Sequence, residues 1–256
     1  MKLIDTHCHL NDQKLYQDLD DVISRALKTG VEKMIVIGWD KESSELAIKI
    51  AEQYPFIYAC VGFHPENLEG VDEKTLYEVL DLSSHPKVVG IGEIGLDYYW
   101  EKDSEKREKQ KEFFIKQIEY ANKVGLPISI HSREAFADTL EILKKHRPQH
   151  SGVMHCYSGS VENIQDIINL NLYIGLDGPV TFRNAKTPKE VAIEVPLEKL
   201  VLETDSPYLS PHPLRGTVNE PANLILIADE IANLKEMSKK HLLEVVYDNS
   251  CRLFKL

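Results

Sequence analysis

Cysteine is scarce, with four in 256 residues (Cys8, Cys60, Cys156 and Cys251), spread along the chain without a C-x-x-C pair. That spacing excludes a disulfide framework, and the thiols are read as reduced. Positive charge is also short, at 30 Lys and Arg against 41 Asp and Glu, a net charge of −11. A broad face for duplex DNA needs clustered cations and is excluded, whereas a pocket touching a few phosphates is not. No stretch approaches the ~18 to 20 uninterrupted apolar residues of a membrane span. The N-terminus MKLIDTHCHL carries an acid at Asp5 and no apolar signal core, so a cytoplasmic protein is expected. There is no Pro/Gly-rich linker, low-complexity tract or repeat of solenoid length, and no sign of an obligate protein partner. Residues 1–256 are therefore expected to form one domain.

What is present is a regular alternation. Eight short runs rich in Val, Ile and Leu occupy 3–10, 34–39, 56–64, 88–97, 127–132, 152–159, 172–178 and 200–207. Longer amphipathic stretches separate them. In 16–30, Leu19, Val22, Ile23 and Leu27 keep helical spacing and Gly30 follows as a stop. In 105–125, Phe113, Phe114, Gln117, Ile118 and Ala121 form one stripe ending at Gly125. Residues 232–254 look like closing helices on the wall. Strands that alternate with helices are parallel and read as near-continuous apolar runs. Eight such units in ~250 residues predict a (β/α)8 barrel. The alternative is an open doubly wound sheet, with ligands at one switch point between neighbouring strands.

The polar residues favour the barrel, because they fall at the C-terminal ends of several strands, where barrel active sites are built. The first run ends Asp5-Thr6-His7-Cys8-His9, the fourth holds Glu93, the fifth ends at His131, the sixth carries His155 and the eighth Asp205. With period two, His7 and His9 share a face, while Cys8, and likewise Cys156 beside His155, are expected to point toward the helix layer and not to ligate. Four imidazoles and two carboxylates exceed what one tetrahedral ion needs and suggest two divalent cations. Taken singly, His131 or His155 reads more readily as a hydrogen-bonded core histidine. Together, burial of so many polar strand ends without a cation is costly. His85, His146, His150 and His241 lie in loop or surface contexts and are read as solvated.

The motifs DTHCHL (5–10), GFHPE (62–66), GEIGLDYYW (92–100), HSREA (131–135), MHCYSGS (154–160), GPVTFRNAK (178–186), LETDSPYLSPHPLRG (202–216) and NEPAN (219–223) together resemble the TatD family of metal-dependent hydrolases, amidohydrolase-like barrels. The resemblance implies His7, His9, Glu93, His131, His155 and Asp205 as metal ligands, with Glu93 bridging two ions. It implies Mg or Mn, with Zn, Fe or Ni also compatible, and a nuclease that trims DNA from the 3′ end through a metal-activated water. Asp205 would be the general base. His64, before Pro65, is open to two readings: a donor to substrate, or a turn-forming residue. Arg133 and Arg215 are candidate phosphate clamps, with Arg183 a surface residue. Glu203 shares the face of Asp205 and is assigned to substrate or to ordering the ligand shell. Tyr98, Tyr99 and Trp100 follow strand four, where they either stack bases or pack the loop.

Two features depart from the family pattern. No basic residues follow Arg215-Gly216, and Asp177 stands where an uncharged residue is expected. Both point to DNA or another phosphodiester bound locally and weakly. Three functions remain open at this stage: a deoxyribonuclease, a hydrolase of another ester or amide (an aminoacyl-tRNA ester, a lactone or a small phosphodiester), and a metal-binding protein without catalysis.

Overall fold

The computed structural model describes residues 2–256. Eight strands, β1 (Leu3–Cys8), β2 (Val31–Ile37), β3 (Ile57–Val61), β4 (Val88–Asp97), β5 (Ile128–Arg133), β6 (Gly152–Met154), β7 (Leu172–Leu176) and β8 (Leu200–Leu202), pair in sequential order, every neighbour parallel. Each predicted run overlaps one strand, although β2 starts three residues before its run and β5 ends one residue after its own, and the sheet is the expected barrel, not the open doubly wound alternative. The strands are buried on both faces, which is why they read as apolar runs rather than alternating ones.

The helices use the expected stops. In Ser104–Val124, Phe113, Phe114, Gln117, Ile118 and Ala121 are buried, and Gly125 ends the helix in the left-handed region at φ 79°. The helix Leu19–Lys28 buries Leu19, Val22, Ile23 and Ala26, but Leu27 is 44% exposed and does not belong to the stripe. Leu224–Leu234 and Lys239–Phe254 close the wall.

Closure between the first and last strands is made largely by side chains. β8 ends at Leu202, before the chain has run the length of β1. Thr6 Oγ1 donates to Leu202 O at 3.0 Å, Asp5 Oδ1 accepts from Thr204 N at 3.0 Å and Asp5 Oδ2 from Thr204 Oγ1 at 2.6 Å. Beyond them, Asp205 N donates to His7 O at 2.9 Å and His9 N to Ser206 O at 2.7 Å. Asp5 is fully buried, which pushes its carboxyl up to about 7. The polar end of β1 thus splits in two, with Asp5 sealing the wall and His7 and His9 entering the mouth. Among the described residues, no helix is long and apolar enough to cross a membrane.

Candidate metal centre

Parity along β1 brings the two imidazoles together, with His7 Nε2 and His9 Nε2 3.3 Å apart, while Cys8 Sγ turns away toward Ile35 O. His155, just past β6, stacks on His7 with ring centroids 3.4 Å apart. His131 on β5 and His64 after β3 meet edge to face at 4.4 Å. Glu93 on β4 lies between the two sets. Its Oε2 is 3.4 Å from His7 Nε2 and 3.9 Å from His9 Nε2, whereas its Oε1 is 2.8 Å from His131 Nδ1 and 3.7 Å from His64 Nε2. Asp205 Oδ1 completes the first set, 3.4 Å from His9 Nε2 and 3.6 Å from His155 Nε2. All six residues that the sequence singles out as ligands therefore converge, with His64 as a seventh. Asp205 adopts φ 54°, a left-handed conformation that Asp tolerates better than most residues.

The backbone and the surrounding side chains decide which ring nitrogens are bare. His9 Nδ1 lies 3.2 Å from Ile37 O, an acceptor only, so it carries the proton and leaves Nε2 with a lone pair. His155 Nδ1 does the same toward Glu203 Oε1 at 2.9 Å. The His9 and His155 Nε2 atoms both lie within 3.6 Å of Asp205 Oδ1, so a cation or a proton between them is favoured. Imidazole nitrogens and carboxylate oxygens on a few Å of buried surface are the donor set of a divalent transition or alkaline-earth ion, so the residues fit such a group.

The charges respond to this crowding. Burial and the neighbouring His131 drive His64 down to about 3, so its ring is neutral. Burial alone would lower His131 too, but the hydrogen bonds to Asp97 and Glu93 outweigh it and raise the ring to about 9. Burial also opposes the charged forms of Glu93 and Asp205, yet the ring of histidines holds both below the ordinary carboxylate range. His155 is pulled upward, against its burial, by Glu203.

A cavity of about 690 Å³ opens over the centre, lined by His9, His64, Glu93, His131, His155 and Asp205, with Trp39, Trp100, Arg133, Cys156, Tyr208 and Leu209 around them. Arg133 lies at its edge, its guanidinium 3.9 Å from the Tyr99 ring centre. Several expected positions are corrected. Arg215 does not line the cavity and stacks on Phe182 at 4.0 Å. Glu203, expected at the substrate or in the ligand shell, is fully buried behind His155 and away from the cavity, where its Oε1 also accepts from Cys156 N at 2.6 Å. Gly175 makes room for it, since a Cβ there would meet Glu203 Oε1 at 2.5 Å. Cys156 faces the cavity instead of the helix layer, because φ 41° breaks the alternation just past the end of β6. Tyr98 packs the loop, bonded to Asp138 at 2.7 Å, and only Trp100 of the three aromatics lines the cavity.

Asp177 is buried, and its carboxyl is pushed up to about 8 by burial and by Glu203, so it presents no open negative charge to the cavity. His64 fits the turn-forming reading, since Nδ1 accepts the Glu66 N–H at 3.2 Å, and its Nε2 faces the centre. His85 and His146 sit in exposed pairs with Glu52 and Glu119. Sequence reasoning missed Asp97, Glu66, Trp39 and Tyr208. For Asp97 a signal existed, because Glu93, Gly95 and Asp97 alternate along one strand.

A family model described as TatD related DNase matches residues 4–255. The chain belongs to the TatD family. It is 44% identical over 255 residues to YabD of Bacillus subtilis, covering 99% of each chain. It is 36% identical over 259 residues to YcfH of Escherichia coli K12, covering 99% of this chain and 96% of that one. Both relatives are described as uncharacterized metal-dependent hydrolases. The solved structure of YJJV, a TatD homolog from Escherichia coli K12, superposes with a TM-score of 0.94 at 30% identity over 99% of this chain and 98% of that one. As a TatD family member, the protein is a metal-dependent hydrolase.

Proposed function

We propose that this TatD family protein is a deoxyribonuclease that holds two divalent cations and hydrolyses phosphodiesters, removing nucleotides from a 3′ end. The observation that carries the reading is the division of Glu93, one carboxylate oxygen facing His7 and His9 and the other facing His131, His64 and, at 3.9 Å, His155 Nε2. His7, His9 and Asp205 would hold one ion, His131 and His155 the other, with Glu93 shared between them. Such cations lower the pKa of water and offset charge on reacting phosphoryl oxygens. The two carboxylates accept Mg or Mn, and the four imidazoles admit Zn, Fe or Ni as well.

The chain's own groups supply the rest. Asp205 Oδ1, anionic and aimed into the cavity, accepts the proton of the attacking water. The neutral His64 ring uses Nδ1 as an acceptor, so its proton sits on Nε2 and is offered to a phosphate oxygen or the leaving group. Arg133 pairs with a non-reacting phosphate oxygen, and Trp100 presents an indole face to a base. The description of the matching family model as a DNase supports the substrate class.

One observation favours a second reading, hydrolysis of a small phosphodiester or carboxylic ester. Among the described residues that line the cavity, Arg133 is the only permanent cation, too few for a long tract of phosphates. Digestion of end-labelled single-stranded DNA with Mg²⁺, Mn²⁺ or EDTA, beside Asp205→Asn, separates the two. Metal-dependent laddering from the 3′ end that disappears in Asp205→Asn is expected. Intact DNA alongside cleavage of a small chromogenic phosphodiester would replace the nuclease reading with the second.

A further inference from the structure

His131 differs from the other histidines of the centre in the direction of its ring. His9 and His155 point Nε2 inward and give Nδ1 to a partner behind them. His131 is reversed, with Nδ1 2.8 Å from Glu93 Oε1 and Nε2 directed outward to Asp97 Oδ2 at 3.0 Å. Asp97 itself is fully buried at the end of β4, beside Arg133 in the strand register.

Asp97 is itself held from three directions. Its Oδ1 accepts from Trp100 N at 2.9 Å. The buried Gln110 of the helix Ser104–Val124 clamps its backbone, with Gln110 Oε1 accepting from Asp97 N at 3.0 Å and Nε2 donating to Asp97 O at 3.2 Å. The same Nε2 donates to Pro65 O at 3.2 Å, which ties in the corner that carries His64. One carboxylate therefore touches the imidazole of the centre with one oxygen and the backbone of the aromatic rim with the other.

We propose that Asp97 is a positioning residue that fixes the tautomer of His131 and joins the Trp100 loop to the metal centre; this rests on the metal reading above. A carboxylate accepts only, so His131 keeps its proton on Nε2 and turns the Nδ1 lone pair inward. Asparagine at the position inverts this. Its Oδ1 still takes the Trp100 N–H, but its amide then donates to His131 Nε2, and the ring proton moves to Nδ1, where a cation needs the lone pair.

The test is Mn²⁺ titration of the wild type, Asp97→Asn and Trp100→Ala, with free Mn²⁺ read by electron paramagnetic resonance. Nitrogen-15 spectra of the histidine rings in the Zn²⁺-loaded proteins accompany it. The wild type is expected to take two ions and to show a protonated Nε2 on His131, assigned by its loss in His131→Gln. Asp97→Asn is expected to weaken one of the two sites by about 10- to 100-fold and to lose that Nε2–H signal. Trp100→Ala, which keeps its backbone N–H, should leave both affinities in place. Unchanged Mn²⁺ affinity and an unchanged Nε2–H signal in folded Asp97→Asn would overturn the positioning role while leaving the metal centre standing. A wild type that takes no Mn²⁺ would overturn both. Thermal melts show whether Asp97→Asn is folded, and Asp97→Glu, which keeps an acceptor, is expected to restore the Nε2–H signal.

Discussion

The two sides of the centre are built differently. On the side of β1, β6 and β8, the His7 and His155 side chains are 0% and 4% exposed, and their surroundings are the sealed seam of Asp5, Thr204 and Glu203. On the side of β3, β4 and β5, His64 and His131 are 13% and 18% exposed and lie next to the Arg133 and Trp100 rim. One side is largely barrel core in which the polar groups satisfy each other, and it meets the cavity through His9, His155 and Asp205. The other is a surface that substrate can reach. Loss of a group on the closed side is expected to cost stability as well as metal, whereas loss on the open side is expected to cost binding and turnover with little effect on the fold.

The largest expected effect comes from the residue common to both sides. Glu93→Gln should lower kcat by roughly 10³-fold, a barrier increase of about 4 kcal/mol, and reduce bound Mn²⁺ below two per chain. Activity within tenfold of wild type would mean that the two sides work independently. Next, Glu203→Ala leaves His155 Nδ1 and Cys156 N–H without their partner in the closed half. A loss of about 3 kcal/mol follows for a broken buried pair, which in a chain of this size is a fall in Tm of roughly 6–12 °C by calorimetry.

The pH dependence of metal binding includes a contribution from His131. At pH 7 the metal-free ring, raised to about 9, holds a proton that a cation must displace from Nδ1. Mn²⁺ affinity should therefore rise about tenfold per unit from pH 7 toward 9 through this group, and activity should fall in acid. Isothermal titration in buffers of different ionisation enthalpy should count the released proton. In the metal-free protein the sign reverses, because a raised imidazole stabilises the fold fully below about 6.5, its unfolded value, and that contribution is lost as pH rises through about 9.

Smaller effects belong to the rim. Trp100→Ala should raise KM for single-stranded DNA about tenfold, with Tm unchanged, as expected for one lost stacking surface. A small chromogenic phosphodiester should not sense the change. Arg215→Ala, outside the cavity, should leave KM within about twofold of wild type, as expected for a surface substitution worth no more than about 0.5 kcal/mol.

The barrel and the polar cluster in its mouth were legible in the sequence for a physical reason. Parallel strands buried on both faces must be apolar, so His7, Glu93 and His131 stand out against their surroundings. Side-chain parity held for His7, Cys8 and His9 around the end of β1 and failed past the end of β6. It placed His7 and His9 together and Cys8 apart, but misdirected Cys156, where the left-handed backbone turns the chain two residues after β6 ends. Arg215 went astray for the same reason, since a loop of that length carries no periodicity to aim it. Asp97 was passed over because it works through His131, and a spacing rule finds groups that converge on a point more readily than groups that stand behind them.

The seam between β1 and β8 has a consequence in time. Asp5 and Thr204 are separated by 199 positions, and His7 meets Asp205 only across that join. Contacts of such range close late, after the local strand and helix units have formed. During synthesis from the N-terminus, a chain on the ribosome displays its two leading histidines long before the eighth strand emerges with the missing carboxylate. The cluster of His7, His9 and Asp205 is thus assembled only with the closing of the ring.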